Sequence, residues 1–247
     1  MQDIFELDGR SAVITGGAGG VGEALARALA SRGVGLTLID NDEPGLARVS
    51  EELRAKMVVA DVSQRQSVQQ AFARATAGGR LDFIVNAAGV ASRRSAFEVD
   101  EQELDRVLGV NLKGLFWCCQ SAASFMKDHG GGRIINIASQ ASATALPGRV
   151  AYAASKGGVA QITRTLAWEW APLGIYVNAV APSYIDTPMT RDLYKDAEYL
   201  KWIQSKTALA RVIAPEELVG AVILLASKAG SGITGQLLFV DAGWSAG

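Results

Sequence analysis

A tyrosine and a lysine four residues apart are the side chains of this sequence best suited to chemistry. Tyr152 and Lys156 lie in the segment 149–162, whose pattern predicts a helix, and residues at this spacing share one helix face. A nearby ammonium group stabilises a phenolate and lowers the pKa of a tyrosine from about 10, so Tyr152 could exchange a proton with a substrate. Tyrosine–lysine pairs at this spacing also occur on solvated helix faces, so other residues must decide between the two interpretations.

A serine thirteen residues before the tyrosine strengthens the catalytic interpretation. Ser139 directly follows the apolar run 133–138, which is typical of a buried strand. A hydroxyl at the end of a strand, next to such a tyrosine, could hold a carbonyl or alcohol oxygen. We therefore predict that Ser139 and Tyr152 act on the same oxygen atom.

The elements that must position these residues alternate along the chain. Most strand-like runs are continuously apolar, as expected for strands buried on both faces, and helical patterns separate them. Helix starts are indicated by a capping-box pattern at 63–66, by Asp100 ahead of Glu103, and by proline and acids at 215–217. This alternation predicts one doubly wound α/β domain over residues 1–247, with a parallel sheet and helices on both faces. The strand-like runs are 12–15, 35–39, 57–60, 81–85, 133–138, 175–180 and 236–240.

One segment interrupts the alternation. Residues 187–209 contain no strand pattern, but they carry aromatic residues in a plausibly helical stretch. A long excursion after the carboxyl end of a strand is where α/β folds build lids over ligands. We predict a substrate lid here; the alternative is a pair of helices that only decorates the surface.

A glycine-rich turn follows the first predicted strand. Within the segment 15–22, Gly16, Gly20 and Gly22, together with Val21, lead directly into a predicted helix. Glycines at such a turn allow the backbone to approach a diphosphate closely, and the helix start supplies free N–H groups. The spacing differs from the common dinucleotide pattern, and no Lys-Ser or Lys-Thr follows, so a phosphate-loop NTPase is not indicated.

An aspartate at the end of the second predicted strand indicates which dinucleotide binds. Asp40 lies eighteen residues after Gly22, where a carboxylate can accept hydrogen bonds from both ribose hydroxyls and would repel a 2′-phosphate. Neither the glycine turn nor the following residues 41–42 offer a lysine or arginine for that phosphate. We therefore predict NAD as the cofactor rather than NADP; the alternative for Asp40 is an ordinary strand-end turn residue.

Two further strand ends are predicted to contact the cofactor. Asp61 and Val62 follow the third strand-like run and are placed to reach the adenine. Asn86, Ala87 and Gly89 follow the fourth and offer small side chains where the cofactor would cross the sheet edge.

The composition argues against several other classes of function. The 247 residues are 20% charged, and 24 Lys and Arg nearly balance 25 Asp and Glu, which disfavours nucleic acid or an anionic membrane as the main partner. Two adjacent cysteines, Cys118 and Cys119, and the single His129 give no metal-ligand spacing, so no metal site is predicted. The N-terminal stretch lacks the apolar segment of a signal peptide, and no apolar run reaches the ~20 residues of a membrane span. We expect a soluble cytoplasmic protein.

Taken together, these motifs resemble those of the short-chain dehydrogenase/reductase family over essentially the whole chain. The glycine turn, residues 86–89, Asn111, Ser139, Tyr152 and Lys156 match the family pattern in order and spacing. The resemblance implies a doubly wound (Rossmann) domain with a seven-stranded parallel sheet, usually assembled as a homotetramer.

The resemblance also implies a role for each matched residue. Tyr152 would be the general acid/base, Lys156 would lower its pKa and bind the nicotinamide ribose, and Ser139 would orient the substrate oxygen. Asn111 would hold a water of the proton relay. Positions that contact the nicotinamide carboxamide correspond to Pro182, Ile185 and Thr187, whereas Ser183 stands where the family commonly has glycine, so its hydroxyl could face the substrate.

The substrate is predicted from a narrower resemblance. Segments 169–174 and 235–244 look most like the sugar-acid and polyol branch of the family, which includes gluconate 5-dehydrogenase-like enzymes. Arg93, Gln140 and Arg149 are polar or cationic residues near the motif positions and could bind a carboxylate or several hydroxyls. The arginines at 93 and 94 could equally be solvated loop charges.

Three functions remain open from the sequence. The first is an NAD-linked dehydrogenase of a sugar, sugar acid or polyol. The second is another enzyme of the family, such as a 3-oxoacyl-carrier-protein reductase, against which Asp40 argues, or a dehydrogenase of steroids or other secondary alcohols. The third is a non-catalytic dinucleotide-sensing regulator, which predicts a broken serine–tyrosine–lysine set; here the set is whole.

Overall fold

A computed structural model of the protein describes residues 3–188 and 190–247. Met1 and Gln2, where the acidic N-terminal stretch begins, and Met189, within the predicted lid 187–209, lie outside the described residues. The chain folds as predicted, into one α/β domain around a seven-stranded sheet in which every pair of neighbouring strands is parallel.

The strands correspond to the seven apolar runs of the sequence, with bounds that differ by at most two residues at each end. The sheet order is β3-β2-β1-β4-β5-β6-β7, so the strand order reverses between β1 and β4. The strands are β1 (Ser11–Thr15), β2 (Gly35–Asp40), β3 (Lys56–Val59), β4 (Phe83–Asn86), β5 (Gly132–Ile137), β6 (Ile175–Pro182) and β7 (Leu237–Val240).

Helices cover both faces of the sheet, because successive strand residues face opposite sides. In β4, Phe83 and Val85 belong to one buried cluster and Ile84 to another. The first cluster contains residues of α1, α2 and α8, and the second contains residues of α3, α5 and α6. The helices are α1 (Gly20–Ala30), α2 (Glu43–Leu53), α3 (Arg65–Ala75), α4 (Glu101–Leu108), α5 (Leu115–Met126), α6 (Val150–Trp170), α7 (Ala197–Lys206) and α8 (Val219–Ala226).

The strand register brings the predicted functional segments to one edge. Thr15 pairs with Asn86, Asn86 with Asn136, and Asn136 with Ala179, so the carboxyl ends of β1, β4, β5 and β6 lie side by side. The glycine turn, the 86–89 segment, Ser139 and the residues after β6 all leave the sheet here. In open α/β sheets, ligands bind at this edge, where the strand order reverses.

Local structure departs from the sequence predictions at two places. The capping box at 63–66 does not form: Gln64 precedes the first helical residue of α3 without a side-chain cap, and the Ser63 backbone N–H donates to the Asp61 carboxylate instead. Asn111 lies in a π-helical segment, Gly109–Gly114, between α4 and α5. The predicted cap at Asp100 does form, since its carboxylate accepts from the Glu103 N–H at 2.8 Å.

The predicted lid segment is helical, with a 3₁₀ turn at Arg191–Lys195 followed by α7. Within the described part of the chain, no helix combines the length and apolar character needed to cross a membrane.

Candidate active site

A cavity of about 620 Å³ runs along the carboxyl edge of the sheet and gathers most of the predicted site residues. It extends from the ends of β2 and β3, past the glycine turn, to the ends of β5 and β6. Two of the predicted residues, Asn86 and Asn111, do not line it. Those that do are Gly16, Gly20, Val21, Gly22, Asp40, Asp61, Val62, Ala87, Gly89, Arg93, Ser139, Gln140, Arg149, Tyr152, Lys156, Pro182, Ser183, Ile185 and Thr187.

The glycine turn leaves no room for side chains at two positions. A Cβ on Gly22 would lie 1.9 Å from the carbonyl oxygen of Gly16, and a Cβ on Gly16 would lie 2.7 Å from the backbone nitrogen of Ala88. Gly16 also has a φ of +73°, a conformation that side chains disfavour. This close packing of turn, helix and strand exposes backbone N–H groups at the start of α1 and fits the diphosphate of a dinucleotide.

Asp40 forms the acidic wall at one end of the cavity. Its carboxylate accepts hydrogen bonds from the N–H groups of Ala18, at 3.0 Å, and Asp42, at 3.1 Å. These bonds fix the carboxylate against the glycine turn, where the ribose of a dinucleotide would lie. Asp61 and Val62 line the same end.

Sequence reasoning missed a cation at this end. Arg48, on α2, lines the cavity, but its guanidinium donates to both carboxylate oxygens of Glu23 on α1, at 2.9 and 2.7 Å. The arginine pair Arg48 and Arg27 holds the pKa of Glu23 well below its ordinary value. Arg48 and Glu23 are 25 residues apart in the chain, so the sequence alone does not indicate that they pair.

Ser139, Tyr152 and Lys156 meet at the opposite end of the cavity. Ser139 follows β5, and Tyr152 and Lys156 share one face of α6, as predicted. The Ser139 hydroxyl lies next to the Tyr152 phenol and lowers its pKa. The Lys156 ammonium group lies 5.8 Å from the centroid of the Tyr152 ring and donates to the carbonyl of Ile137 at 2.7 Å. The three side chains thus form one wall, with the hydroxyl and the phenol adjacent.

The pKa of Tyr152 differs from the sequence-based expectation. Burial raises its pKa above the ordinary value, and this outweighs the lowering by the Ser139 hydroxyl and the Arg149 charge. Burial also lowers the pKa of Lys156 to about 8. The expectation of a lowered tyrosine pKa was therefore wrong for the chain as it stands, because it counted the cation and left out desolvation.

The two asparagines outside the cavity support its walls. The side chain of Asn111 donates to the Val90 carbonyl at 2.9 Å and to the Ser155 hydroxyl at 3.2 Å, and accepts from the Val90 N–H at 2.8 Å. Ser155 in turn donates to the carbonyl of Tyr152 at 2.7 Å. Asn86 is buried beneath the cavity, where its amide donates to the Asn136 side chain at 2.9 Å.

The predicted lid contributes two rings, Tyr199 and Trp202, to an aromatic cluster that reaches the cavity through Tyr184. Tyr184, Tyr199, Trp202 and Trp244 contact one another, with ring centroids 5.5–6.2 Å apart. Arg149 joins this cluster: it donates to the Tyr199 hydroxyl at 2.8 Å, and its guanidinium carbon lies 5.7 Å from the Tyr184 ring centroid. The lid segment is thereby connected to the residue three positions before Tyr152.

The loop after β6 closes the cavity near these residues. Ser183 does not have a positive φ, so the serine occupies the usual glycine position without that strain. Thr187 is anchored by its N–H, which donates to the Thr190 hydroxyl at 3.0 Å, and the Ile185 carbonyl accepts from the Tyr194 hydroxyl at 2.9 Å. Among the described residues, no group of three or more His, Cys, Asp or Glu could hold a metal ion.

Comparison with known proteins assigns the family. A family model described as enoyl-(acyl carrier protein) reductase matches residues 16–245. Galactitol 2-dehydrogenase (L-tagatose-forming) of Cereibacter sphaeroides is 37% identical over 249 residues, which cover 99% of this chain and 98% of that protein. The chain belongs to the short-chain dehydrogenase/reductase family. The protein is an oxidoreductase of CH–OH groups.

Other short-chain dehydrogenases extend the comparison. The crystal structure of a gluconate 5-dehydrogenase from Burkholderia cenocepacia, in complex with NADP and tartrate, superposes with a TM-score of 0.95 at 37% identity, covering 99% of this chain and 98% of that one. An NAD-dependent glycerol dehydrogenase of Listeria innocua is 33% identical over 98% of this chain and 96% of that protein. The predicted resemblance to the sugar-acid and polyol branch of short-chain dehydrogenases is confirmed.

Proposed function

We propose that the protein is an NAD-dependent dehydrogenase that interconverts a secondary alcohol and a ketone of a sugar, sugar acid or polyol, with Tyr152 as general acid/base. The observation that carries the proposal is the meeting of Ser139, Tyr152 and Lys156 on the wall of a cavity whose other end is a glycine turn. A dinucleotide-sensing regulator would not need a serine, a tyrosine and a lysine together at that point.

Ser139, Tyr152 and Lys156 have different roles at the substrate oxygen. In the direction of alcohol oxidation, the Ser139 hydroxyl holds the substrate oxygen beside the Tyr152 phenol, and Tyr152, in its deprotonated form, takes the hydroxyl proton. Lys156 provides positive charge on the same helix face and favours that form. A bound nicotinamide cofactor would supply the hydride acceptor. In the reverse direction, Tyr152 returns the proton to the oxygen of the ketone.

NAD is the cofactor that the charges of the site favour. The Asp40 carboxylate, fixed by two backbone N–H groups, would pair with ribose hydroxyls and repel a 2′-phosphate. Arg48 lines the same end, but it donates two hydrogen bonds to Glu23, whose carboxylate offsets its positive charge. Relatives of both kinds exist: the gluconate 5-dehydrogenase structure contains NADP, and the glycerol dehydrogenase is NAD-dependent.

A polyhydroxylated substrate is supported by the polar residues at the catalytic end. Gln140, Arg149 and Ser183 line the cavity beside Ser139 and Tyr152, together with Arg93. The named activities of the relatives, on galactitol, gluconate and glycerol, all concern compounds with several hydroxyl groups. The segment 187–209 would act as the lid, since its Tyr199 contacts Arg149.

We further propose that the protein works as a cytoplasmic homotetramer. Exposed apolar side chains support an assembly: Trp168 is 87% exposed, and Leu173 and Val150 are exposed on or beside the same helix, α6. The two cysteines are buried and unpaired, as suits a reducing compartment. Light scattering after size-exclusion chromatography tests the assembly, and a monomeric mass would contradict it.

The function is tested by following NAD+ reduction with sugars, alditols, aldonates, steroids and simple secondary alcohols. We expect turnover with polyhydroxylated substrates and a loss of kcat of about 10²- to 10⁴-fold in Tyr152→Phe. Tyr176→Phe is the matched control, because it removes the same hydroxyl at the amino end of β6, outside the cavity. Turnover of steroids alone, or full activity in Tyr152→Phe, would refute the proposal.

A further inference from the structure

Apart from Arg48, which pairs with Glu23, the charged residues that line the cavity are segregated by sign. The carboxylates, Asp40, Asp42, Asp61 and Glu23, follow β2 and β3 or lie on α1, at the end assigned to the adenosine. At the end formed by β4, β5 and α6, the charged residues among the described lining residues are Arg93, Arg149 and Lys156, all cationic. An anionic substrate would be attracted to this end of the cavity, whereas a neutral alcohol would not.

Arg149 is the cation of this group that is best positioned to bind a substrate. It precedes α6, three residues before Tyr152, and is held by the Tyr199 hydroxyl and the Tyr184 ring. Within the described chain no carboxylate pairs with it. A guanidinium has five N–H donors in a planar fork that matches a carboxylate, and the contact with Tyr199 uses one of them.

Two buried oxygens of residues that line the same cavity as Arg149 lack hydrogen-bond partners. Within the described residues, neither the Oε1 atom of Gln140 nor the Oγ atom of Ser183 has one, and both residues line the cavity. The Gln140 residue, directly after Ser139, is only 2% exposed. Buried polar atoms are nearly always hydrogen-bonded, so these oxygens indicate a ligand that brings hydroxyl donors to this end of the cavity. A molecule with both a carboxylate and hydroxyl groups would supply a counter-ion for Arg149 and hydrogen-bond donors for Gln140 and Ser183.

We propose that the substrate is an aldonate-type hydroxy acid, whose carboxylate binds Arg149 and whose hydroxyl groups donate to Gln140 and Ser183. This inference rests on the proposed dehydrogenase function and narrows it, because it selects the sugar acid over the neutral sugar or polyol. The named activities of the relatives do not make this selection, since they include a galactitol dehydrogenase and a gluconate dehydrogenase. Arg149 then determines specificity by binding the negative charge of the substrate. Tyr199, which holds Arg149, connects the lid to this interaction.

Matched substrate pairs test the proposal. Steady-state kinetics are measured with gluconate against glucitol, and galactonate against galactitol, because the members of each pair differ by a carboxylate in place of a CH2OH group. For the wild-type enzyme, we expect kcat/KM at least about 10-fold higher for the aldonate of a pair. In Arg149→Gln, kcat/KM for the aldonate should fall by about 10- to 100-fold, mainly through KM, while the value for the alditol stays within about threefold.

Further variants separate recognition from structural damage. Arg149→Lys keeps the charge and should recover part of the lost aldonate activity, which a structural role would not explain. Tyr199→Phe removes the hydroxyl that holds Arg149 and should raise KM for the aldonate by about 2- to 10-fold without changing the alditol. The control is Arg94→Gln, which removes the same charge from an exposed residue that pairs with Asp100 and does not line the cavity. NADH binding and thermal unfolding verify that each variant is folded.

The outcomes distinguish this inference from the proposed function. Higher kcat/KM for alditols than for aldonates, or equal losses for both classes in Arg149→Gln, would overturn the inference while leaving the dehydrogenase function intact. If Arg149→Gln does not fold, the same decision is made from the wild-type pairs and from Tyr199→Phe. Absence of NAD+ or NADP+ reduction with every aldonate and alditol would refute the proposed function, and the inference with it.

Discussion

Gly22 is the position where adding one methyl group should most damage the cofactor site. An alanine Cβ there would lie 1.9 Å from the Gly16 carbonyl oxygen and 2.7 Å from its carbonyl carbon. Ordinary contact between such atoms is roughly 3.5 Å, so the turn and α1 must separate by more than about 1 Å. The atoms that must move are backbone, which cannot rotate away as a side chain would.

The size of the effect follows from two opposing contributions. Alanine at a helix interior position is favoured over glycine by about 1 kcal/mol, whereas overpacking against rigid neighbours costs about 1–3 kcal/mol or more. We therefore expect Gly22→Ala to lower the free energy of unfolding by up to about 2 kcal/mol, which lowers Tm by up to roughly 8 °C for a domain of this size. Displacing the N–H groups of the turn by about 1 Å should also weaken NADH binding by at least about 10-fold.

Two further glycines separate effects on the fold from effects on the cofactor. A Cβ on Gly19 would meet no protein atom within 4 Å, and its φ of −172° is open to any residue, but Gly19 lines the cavity. Gly19→Ala should therefore weaken NADH binding without lowering Tm. The control is Gly220→Ala, which makes the same chemical change in α8, where a Cβ also meets nothing within 4 Å, and should lower neither Tm nor the affinity for NADH. The assays are thermal unfolding and titration of NADH fluorescence. Wild-type binding in Gly22→Ala, or equal losses in Gly220→Ala, would refute the proposed fit of the turn to a diphosphate.

Three further variants test the charges and hydrogen bonds of the site. Asp40→Asn should lower kcat/KM with NAD+ by about 10-fold and raise it with NADP+; an unchanged ratio between the two cofactors would contradict the role of Asp40. Because burial lowers the Lys156 pKa to about 8, the unfolded chain binds more protons than the folded one above that pH. In urea titrations between pH 8 and 9.5, the free energy of unfolding should then rise by about 1–2 kcal/mol more in the wild type than in Lys156→Met. The buried cysteines, whose thiol pKa is raised, contribute in the opposite direction, but they do so equally in both proteins. Ser155→Ala leaves the Asn111 amide with one partner fewer and should lower kcat by about 10-fold with little change in KM, whereas a pure KM effect would argue against a positioning role.

The sequence predicted the sheet well because its strands are buried on both faces. A strand such as β4, whose four residues are all buried, is a short continuous apolar run that is bounded by turn residues and is easily recognised. Because the strands are parallel, the residues that follow their carboxyl ends lie at the same edge of the sheet. Asp40, Ser139 and Ile185 therefore reach the same cavity although they lie far apart in the chain.

The features that the sequence did not predict depend on contacts between distant elements. The π-helical segment at Asn111 lies where Gly114 packs so closely on Val62 that a Cβ would come within 2.8 Å of its carbonyl oxygen, a restriction that no local pattern reveals. The Arg149–Tyr199 bond spans 50 residues, and the lowered Lys156 pKa reflects burial rather than residue type. Asn86 follows the pattern of a cofactor-binding residue, yet its side chain lies in the buried layer beneath the cavity.

The central claim is that Tyr152 exchanges the proton that accompanies hydride transfer. The most direct test is the pre-steady-state rate of NADH formation from saturating NAD+ and aldonate, measured from pH 6 to 10 in the wild-type enzyme and in Tyr152→Phe. We expect a wild-type rate that rises with pH as Tyr152 loses its proton, and a variant rate that is about 10²- to 10⁴-fold lower and independent of pH. A variant that keeps both the wild-type rate and its rise with pH would refute the role of Tyr152 as general acid/base.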